Sequence, residues 1–297
     1  MTPSAGDPSG GYSVFAGTLA DMTWPQVEAA GARNTPLLVP VAVIEQHSLH
    51  LPLATDTYGA YLLCSLIQKA LAARGIEVLI APPYYFGVNA TTATYPGSLN
   101  IKPDTMRTLL IEILENYARW GLRRQFIVNH HGDPQHNRVI VEAIQAMRAQ
   151  GVETTYFLGG MIQGFVDAAF EGAFGQALPL TGDEVLRSPE SAATREAVAR
   201  LTRGGPLDIH AGERETSLIM RWFPETLASG VDVADLAALP DTAEEFQQAE
   251  RTGRWRELSP QGHIGDPASA APGNGDLYAY EAADMAEALA EFLSTRD

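Results

Sequence analysis

Leu37-Leu38-Val39-Pro40-Val41-Ala42-Val43-Ile44 runs directly into Glu45-Gln46-His47-Ser48-Leu49-His50-Leu51-Pro52-Leu53-Ala54-Thr55-Asp56. Eight apolar residues in a row, with no polar alternation, read as a strand covered on both faces. Such a strand belongs to a sheet with helices above and below. Outward from it the pattern repeats. Residues 56–73 carry helical spacing (Tyr58, Leu62, Leu66, Ala70) and stop at Gly75. Residues 77–80 read as a second strand, 103–121 as an amphipathic helix, 125–128 as a third strand, 134–149 as a helix and 153–158 as a fourth strand. Strands alternating with helices of this length describe βαβ units and hence a parallel sheet. The spacing therefore predicts an α/β fold, a three-layer α/β/α sandwich with a mostly parallel central sheet. From Gly159 the pattern weakens: 214–222 and 280–293 read as helices, 228–275 as connection. With no repeat and no linker, residues 15–297 are expected to form one domain behind a flexible Gly/Ser/Pro-rich tail, 1–14.

Composition narrows the function classes. The chain has 297 residues, 20 Lys+Arg against 36 Asp+Glu, a net charge of −16, and 45% hydrophobic residues. That apolar content suits a globular core and excludes wholesale disorder. The acidic balance argues against nucleic acid and against anionic lipid surfaces, both of which need a basic footprint. The single cysteine, Cys64, excludes an intrachain disulfide and a cysteine-based zinc cage, and its apolar neighbours read as a packed helix face. No apolar run reaches the roughly 18–20 residues of a membrane span. Residues 1–11 lack the charged and apolar regions of a secretory signal, so a cytoplasmic location is expected.

Three segments carry chemistry. Glu45 and His47 follow the first strand, where open α/β sheets place their sites, and offer an oxygen and a nitrogen to a metal. Asp56 opens the next helix, either as an N-cap or as a carboxylate able to bridge two ions. Asn129-His130-His131-Gly132-Asp133 follows the third strand at the same sheet edge, with His131 and Asp133 as candidate ligands and His130 and His136 as residues that satisfy backbone groups. Ile209-His210-Ala211-Gly212-Glu213-Arg214-Glu215 enters a helix, where Glu213 and Glu215 fall on different faces. One can point at the site while the other complements the helix macrodipole. No Gly-x-Ser-x-Gly elbow supports a serine hydrolase and no Gly-x-Gly-x-x-Gly a dinucleotide site.

These segments, with Tyr95-Pro96-Gly97-Ser98 between them, resemble the creatininase (creatinine amidohydrolase) family from about Phe15 to Phe223 and again at Gly265-Asp266-Pro267. The resemblance implies a binuclear centre of zinc or zinc and manganese, and hydrolysis of non-peptide C–N bonds. It implies that Glu45 and His131 bind one ion, that His47 binds the other, that Asp56 bridges them, and that Asp133 supplies a further carboxylate to the second. His210 and Glu215 match residues of the substrate side and are the expected acid/base groups. A homohexamer is also implied, with long loops and the aromatics Tyr84, Tyr85 and Phe86 to cover. Departures occur at Ser48 and His130, which stand where the family has glycine, and in the lack of any Trp between Trp120 and Trp222. The missing tryptophans predict that creatinine is a poor substrate, since aromatic faces hold small flat rings.

The expected activity is metal-dependent amidohydrolysis of a small cyclic amide, lactam or amidine, with divalent ions lowering the pKa of water to about 7. Zinc is the first expectation, with manganese and iron as alternatives for an all-O/N ligand set. Two other readings remain: a peptidase maturing a ribosomally made peptide, and a non-catalytic metal-binding assembly subunit.

Overall fold

The computed structural model describes residues 13–201, 208–239 and 243–296; most of the expected tail, residues 1–12, lies outside them. Helix α1 (Trp24–Ala32) is opened by a capping box between Thr23 and Gln26, with Pro25 in the first turn where its missing N–H costs nothing. Strand β1 (Leu37–Val41) leads to α2 (Thr55–Ala72) and the short β2 (Leu79–Ile80). Helix α3 (Pro103–Arg119), β3 (Arg124–Asn129), α4 (Pro134–Ala149) and β4 (Glu153–Leu158) follow. The ladders are all parallel, in the order β2-β1-β3-β4 with β5 (Val185–Arg187) at the edge.

Alternate strand residues feed two cores. Leu37, Val39, Val41 and Ile127 pack with α3 and α4 on one face. Leu38, Ile80, Phe126 and Phe157 pack with α2 and with α10 (Leu277–Ser294) on the other. Three layers result, as the continuous apolar strands imply. Cys64 is fully buried in the second core, and burial pushes its thiol pKa up, so it packs as a small apolar group.

Several elements differ from the expected ones. Strand β1 stops at Val41, not Ile44, because its ladder with β3 ends at the Val41–Asn129 pair; Ala42 N–H instead donates to Tyr84 O at 2.8 Å. Glu45 and His47 therefore sit in irregular chain beyond the strand, not on a shared strand face. Tyr84 is buried within the chain and needs no partner surface, whereas Phe86 is exposed. Beyond Gly159, α5 (Gly160–Phe174) and α6 (Ala192–Leu201) form where the sequence pattern weakens, and α8 (Ala243–Thr252) and α9 (Trp255–Leu258) where it reads as connection. Glycines 160, 164 and 172 mask α5, since they read as loop residues. Helix α7 (Glu213–Trp222) begins one residue before the expected start. No helix among the described residues is long and apolar enough to cross a membrane.

Candidate metal centre

In the order β2-β1-β3-β4-β5 the chain leaves β1 to one side and returns on the other, so a crevice opens beyond the ends of β1 and β3. The segment after β1 carries Glu45 and His47, and that after β3 carries His131. Asp56 comes from the first turn of α2 and Glu215 from that of α7.

These side chains converge on two points. Glu45, Asp56 and His131 form one group of closely spaced ligand atoms, and His47, Asp56 and Glu215 a second. His131 Nδ1 lies 3.0 Å from Glu45 Oε1 and 3.1 Å from Asp56 Oδ2. His47 Nε2 lies 3.5 Å from Asp56 Oδ1 and 3.6 Å from Glu215 Oε2. Asp56 thus turns one oxygen toward each histidine. His210 stacks on His47, with ring centroids 4.3 Å apart, and its Nδ1 is 3.8 Å from Glu45 Oε1.

The donor chemistry fits a divalent metal. His47 Nδ1 contacts the Glu45 carbonyl at 3.1 Å, and a carbonyl only accepts, so the proton sits on Nδ1. Nε2 then presents a lone pair, is fully buried, and has no hydrogen-bond partner. Two carboxylate oxygens face that lone pair, which leaves electron-rich atoms with no proton between them. This is the tautomer a ligating histidine needs. Without an ion the groups recruit protons instead. Burial lowers the His47 pKa, but Glu215 and Asp56 outweigh it and hold it well above the usual value; at His131, Glu45 and Asp56 do the same. Burial would raise Glu215, yet His47 beside it holds the carboxyl down at about 2, and Asp56 is likewise held low.

Asp133 stays outside both groups. It is the N-cap of α4: Oδ1 accepts the His136 N–H at 3.0 Å, and Oδ2 accepts the Ala90 N–H at 2.9 Å. His130, read as a backbone-satisfying loop residue, instead bridges side chains: Nε2 is 3.0 Å from Tyr278 Oη and Nδ1 3.5 Å from Asp56 Oδ1. His136 is buried, its ring edge-on to His131. Glu213 is buried as well, and its Oε1 accepts a hydrogen bond from Asn274 Nδ2 at 2.8 Å.

Loops brace the ligands. Thr92 donates to Glu45 Oε2 at 2.5 Å, and Ser98 Oγ accepts the Gln46 N–H at 3.0 Å. The Gln46 carbonyl lies 2.7 Å from His210 Nε2 and accepts its proton, which aims Nδ1 at the site. Ser48 adopts a left-handed φ of 63°, the conformation for which glycine is suited, and its Oγ reaches His263 Nδ1 at 3.1 Å. Thr92, Tyr278 and Trp255 carried no sequence signal, since each reaches the site from a distant loop or helix.

Above the ligands lies a cavity of about 720 Å3. Ionisable residues line it together with apolar ones, Ile162, Phe165 and Ala169 of α5 and Trp255 and Ile264. Trp255, outside the 120–222 interval in which the sequence has no tryptophan, lines this cavity.

The creatininase (creatinine amidohydrolase) family profile matches residues 20–293. A mycofactocin precursor peptide peptidase of Mycobacterium ulcerans is 26% identical over 253 residues, covering 84% of this chain and 77% of that protein. A solved creatininase described as a manganese form superposes with a TM-score of 0.63 at 19% identity, over 95% of this chain and 99% of that one. A zinc–zinc creatininase with a glutamate-to-glutamine substitution gives a TM-score of 0.63 at 19% identity, over 96% and 100% of the two chains. With the profile spanning nearly its whole length and the same architecture in those neighbours, the chain is an amidohydrolase of the creatininase family.

Proposed function

We propose that this chain is a binuclear-metal amidohydrolase that cleaves the C–N bond of an amide bearing apolar bulk. The observation that carries this reading is the convergence of two ligand groups that share Asp56. Two divalent ions held there would activate water and polarise the scissile carbonyl. Glu45 and His131 would hold one ion and His47 and Glu215 the other, with Asp56 common to both groups. Zinc suits this set best, and manganese or iron would also be accepted. Asp133 lies outside both groups, but each of its oxygens accepts a single backbone N–H and keeps a lone pair, so it stays the candidate for a further carboxylate on the second ion. Glu215, whose Oε2 lies 3.6 Å from His47 Nε2 within one group with Asp56, would serve as a ligand. His210, anchored through Nε2, holds and passes the proton for the leaving nitrogen at Nδ1.

Two substrate classes fit the chemistry: a small cyclic amide, lactam or amidine, and a peptide amide. The cavity favours the second. Its volume of about 720 Å3 lies within the roughly 300–1,000 Å3 of pockets that hold drug-sized ligands, and apolar residues line it beside the ionisable ones. The relative named as a precursor peptide peptidase points the same way. The decisive experiment is a hydrolysis screen of metal-loaded protein against creatinine, hydantoins, lactams, formamides and short peptides with apolar residues flanking the scissile bond. Peptide turnover exceeding that of every ring compound supports the second class; the reverse restores the first. No turnover in either class by protein carrying two ions would overturn the enzymatic reading in favour of a metal-binding subunit.

We further propose a cytoplasmic homo-oligomer, with the hexamer as the expected form. Trp24 is 76% exposed, with Leu49 and Leu53 also exposed, which is apolar area for copies of the chain to cover. A monomer in sedimentation at micromolar concentration would refute it.

A further inference from the structure

Behind the metal centre a line of buried polar groups runs from α10 to the shared carboxylate. Arg214 Nη2 lies 2.9 and 3.1 Å from the two carboxylate oxygens of Glu281. Arg214 Nε donates to Tyr278 Oη at 3.2 Å, and its guanidinium also stacks over the Tyr278 ring at 5.1 Å. Tyr278 Oη is 3.0 Å from His130 Nε2, and His130 Nδ1 is 3.5 Å from Asp56 Oδ1. All five side chains are buried.

The direction of every hydrogen bond follows from the donor inventory. A guanidinium has no lone pair to offer, so Arg214 can only donate. The Tyr278 oxygen accepts that N–H and sends its own proton to the remaining partner, His130 Nε2. A neutral imidazole that accepts at Nε2 carries its hydrogen on Nδ1, which is the atom facing Asp56. The positive charge at Arg214 thus selects one tautomer two residues away and delivers an N–H to Asp56 Oδ1.

We propose that Arg214, Tyr278 and His130 are positioning residues that hold the Asp56 carboxylate in its bridging orientation, with Oδ1 toward His47 and Oδ2 toward His131. A carboxylate that bridges two ions must not rotate about its last torsion, and a fixed N–H on one oxygen prevents that. Outer partners of ligating groups serve this purpose in metal sites generally.

Two glycines mark the space this line requires. A Cβ on Gly59, one turn beyond Asp56 in α2, would lie 2.7 Å from the His130 ring. Glycine is a poor helix former, yet it stands inside α2 where the imidazole needs the room. A Cβ on Gly160, which has a φ of 55°, would lie 2.2 Å from the Glu281 carboxylate. His130 stands where the resemblance expects glycine, so the arrangement belongs to this chain's own residues.

The proposal rests on the metal-centre reading above, and its test separates the two. Tyr278→Phe keeps the ring and deletes the oxygen in the middle of the line. Zinc affinity is measured by chelator competition, and the visible absorption of cobalt-substituted protein reports ligand geometry independently of turnover. The variant should bind zinc about 10–100-fold more weakly and shift the cobalt bands. Gly59→Ala, which crowds His130 without touching a hydrogen bond, should shift the same bands. Tyr61→Phe removes a hydroxyl bonded to the Ala16 carbonyl on the surface and should change neither readout. If both Tyr278→Phe and Gly59→Ala bind zinc with wild-type affinity and give wild-type cobalt spectra, the positioning role is wrong while the metal centre stands. If the wild-type protein takes up no zinc or cobalt, both fall together.

Discussion

Glu213 and Glu215 are two positions apart in the first turn of α7, yet they occupy opposite surroundings: Glu215 Oε2 is 3.6 Å from His47 Nε2, while Glu213 Oε1 accepts from Asn274 Nδ2 at 2.8 Å. Successive helical positions rotate by about 100°, so two residues differ by more than a right angle. Glu215→Gln is therefore expected to lose about 10²–10⁴-fold in turnover and to release one ion. Glu213→Gln should keep both ions and most of the activity. Metal analysis beside steady-state rates checks this, and a dead Glu213→Gln with an active Glu215→Gln would reverse the assignment.

Glu213 and its neighbour Asp208 set a pH dependence. Burial, with Asp208 and Asp266 nearby, pushes the Glu213 carboxyl up to about 7, and burial pushes Asp208 up to about 6. A carboxyl whose folded pKa exceeds its unfolded value contributes stability fully below the unfolded pKa, and loses it as pH rises through the folded one. Wild-type stability should thus decline between about pH 4 and pH 7 from this cause. Glu213→Gln cannot ionise, so its Tm relative to wild type should rise between about pH 5 and pH 8. An offset that is identical at both values would show that Glu213 titrates normally.

Metal binding should expel protons. His47 and His131 are held protonated by their carboxylate neighbours when no ion is present, and a ligating imidazole must be neutral. Calorimetric titration of zinc into the metal-free protein near neutral pH, in buffers of differing ionisation enthalpy, should show release of about one proton per ion. Affinity should fall as pH is lowered, because protons compete for the same lone pairs. Chelation should also lower the Tm, since an ion held at about 100 times its Kd adds roughly 2.7 kcal/mol. Binding without proton release would argue that the histidines are not ligands.

Ser48 offers a backbone test. It occupies a left-handed conformation at φ 63° and anchors its loop through His263, whose Nε2 in turn donates to the Ala237 carbonyl at 2.8 Å. Ser48→Ala keeps the unfavourable conformation and loses the hydrogen bond, so it should cost about 1 kcal/mol. Ser48→Gly loses the same bond but relieves a conformational cost of about 1 kcal/mol, and should fall within about 0.5 kcal/mol of wild type. Chemical denaturation ranks the three, and an alanine variant more stable than the glycine variant would contradict the account.

Much of this protein could be read along the chain because the informative features are local. The apolar run 37–44, the amphipathic helix 103–121 and the helix 134–149 each declare their type through their own periodicity, and together they imply the parallel sheet. Glu45, His47, Asp56, His131, His210 and Glu215 were legible for a related reason: they stand at strand ends and helix starts, where this architecture gathers its sites. Distance and direction were not legible. Asp133 also caps α4 and holds Ala90, and only the folded backbone shows those N–H groups arriving. Nothing in the sequence shows that the 272–276 turn brings Asn274 onto Glu213. His130 read as a residue satisfying backbone groups until α10, nearly 150 residues later, brought Tyr278 against it. A sequence states what each residue can donate, accept or bury, while the sheet order and the packing of α7 and α10 decide which partners come within reach.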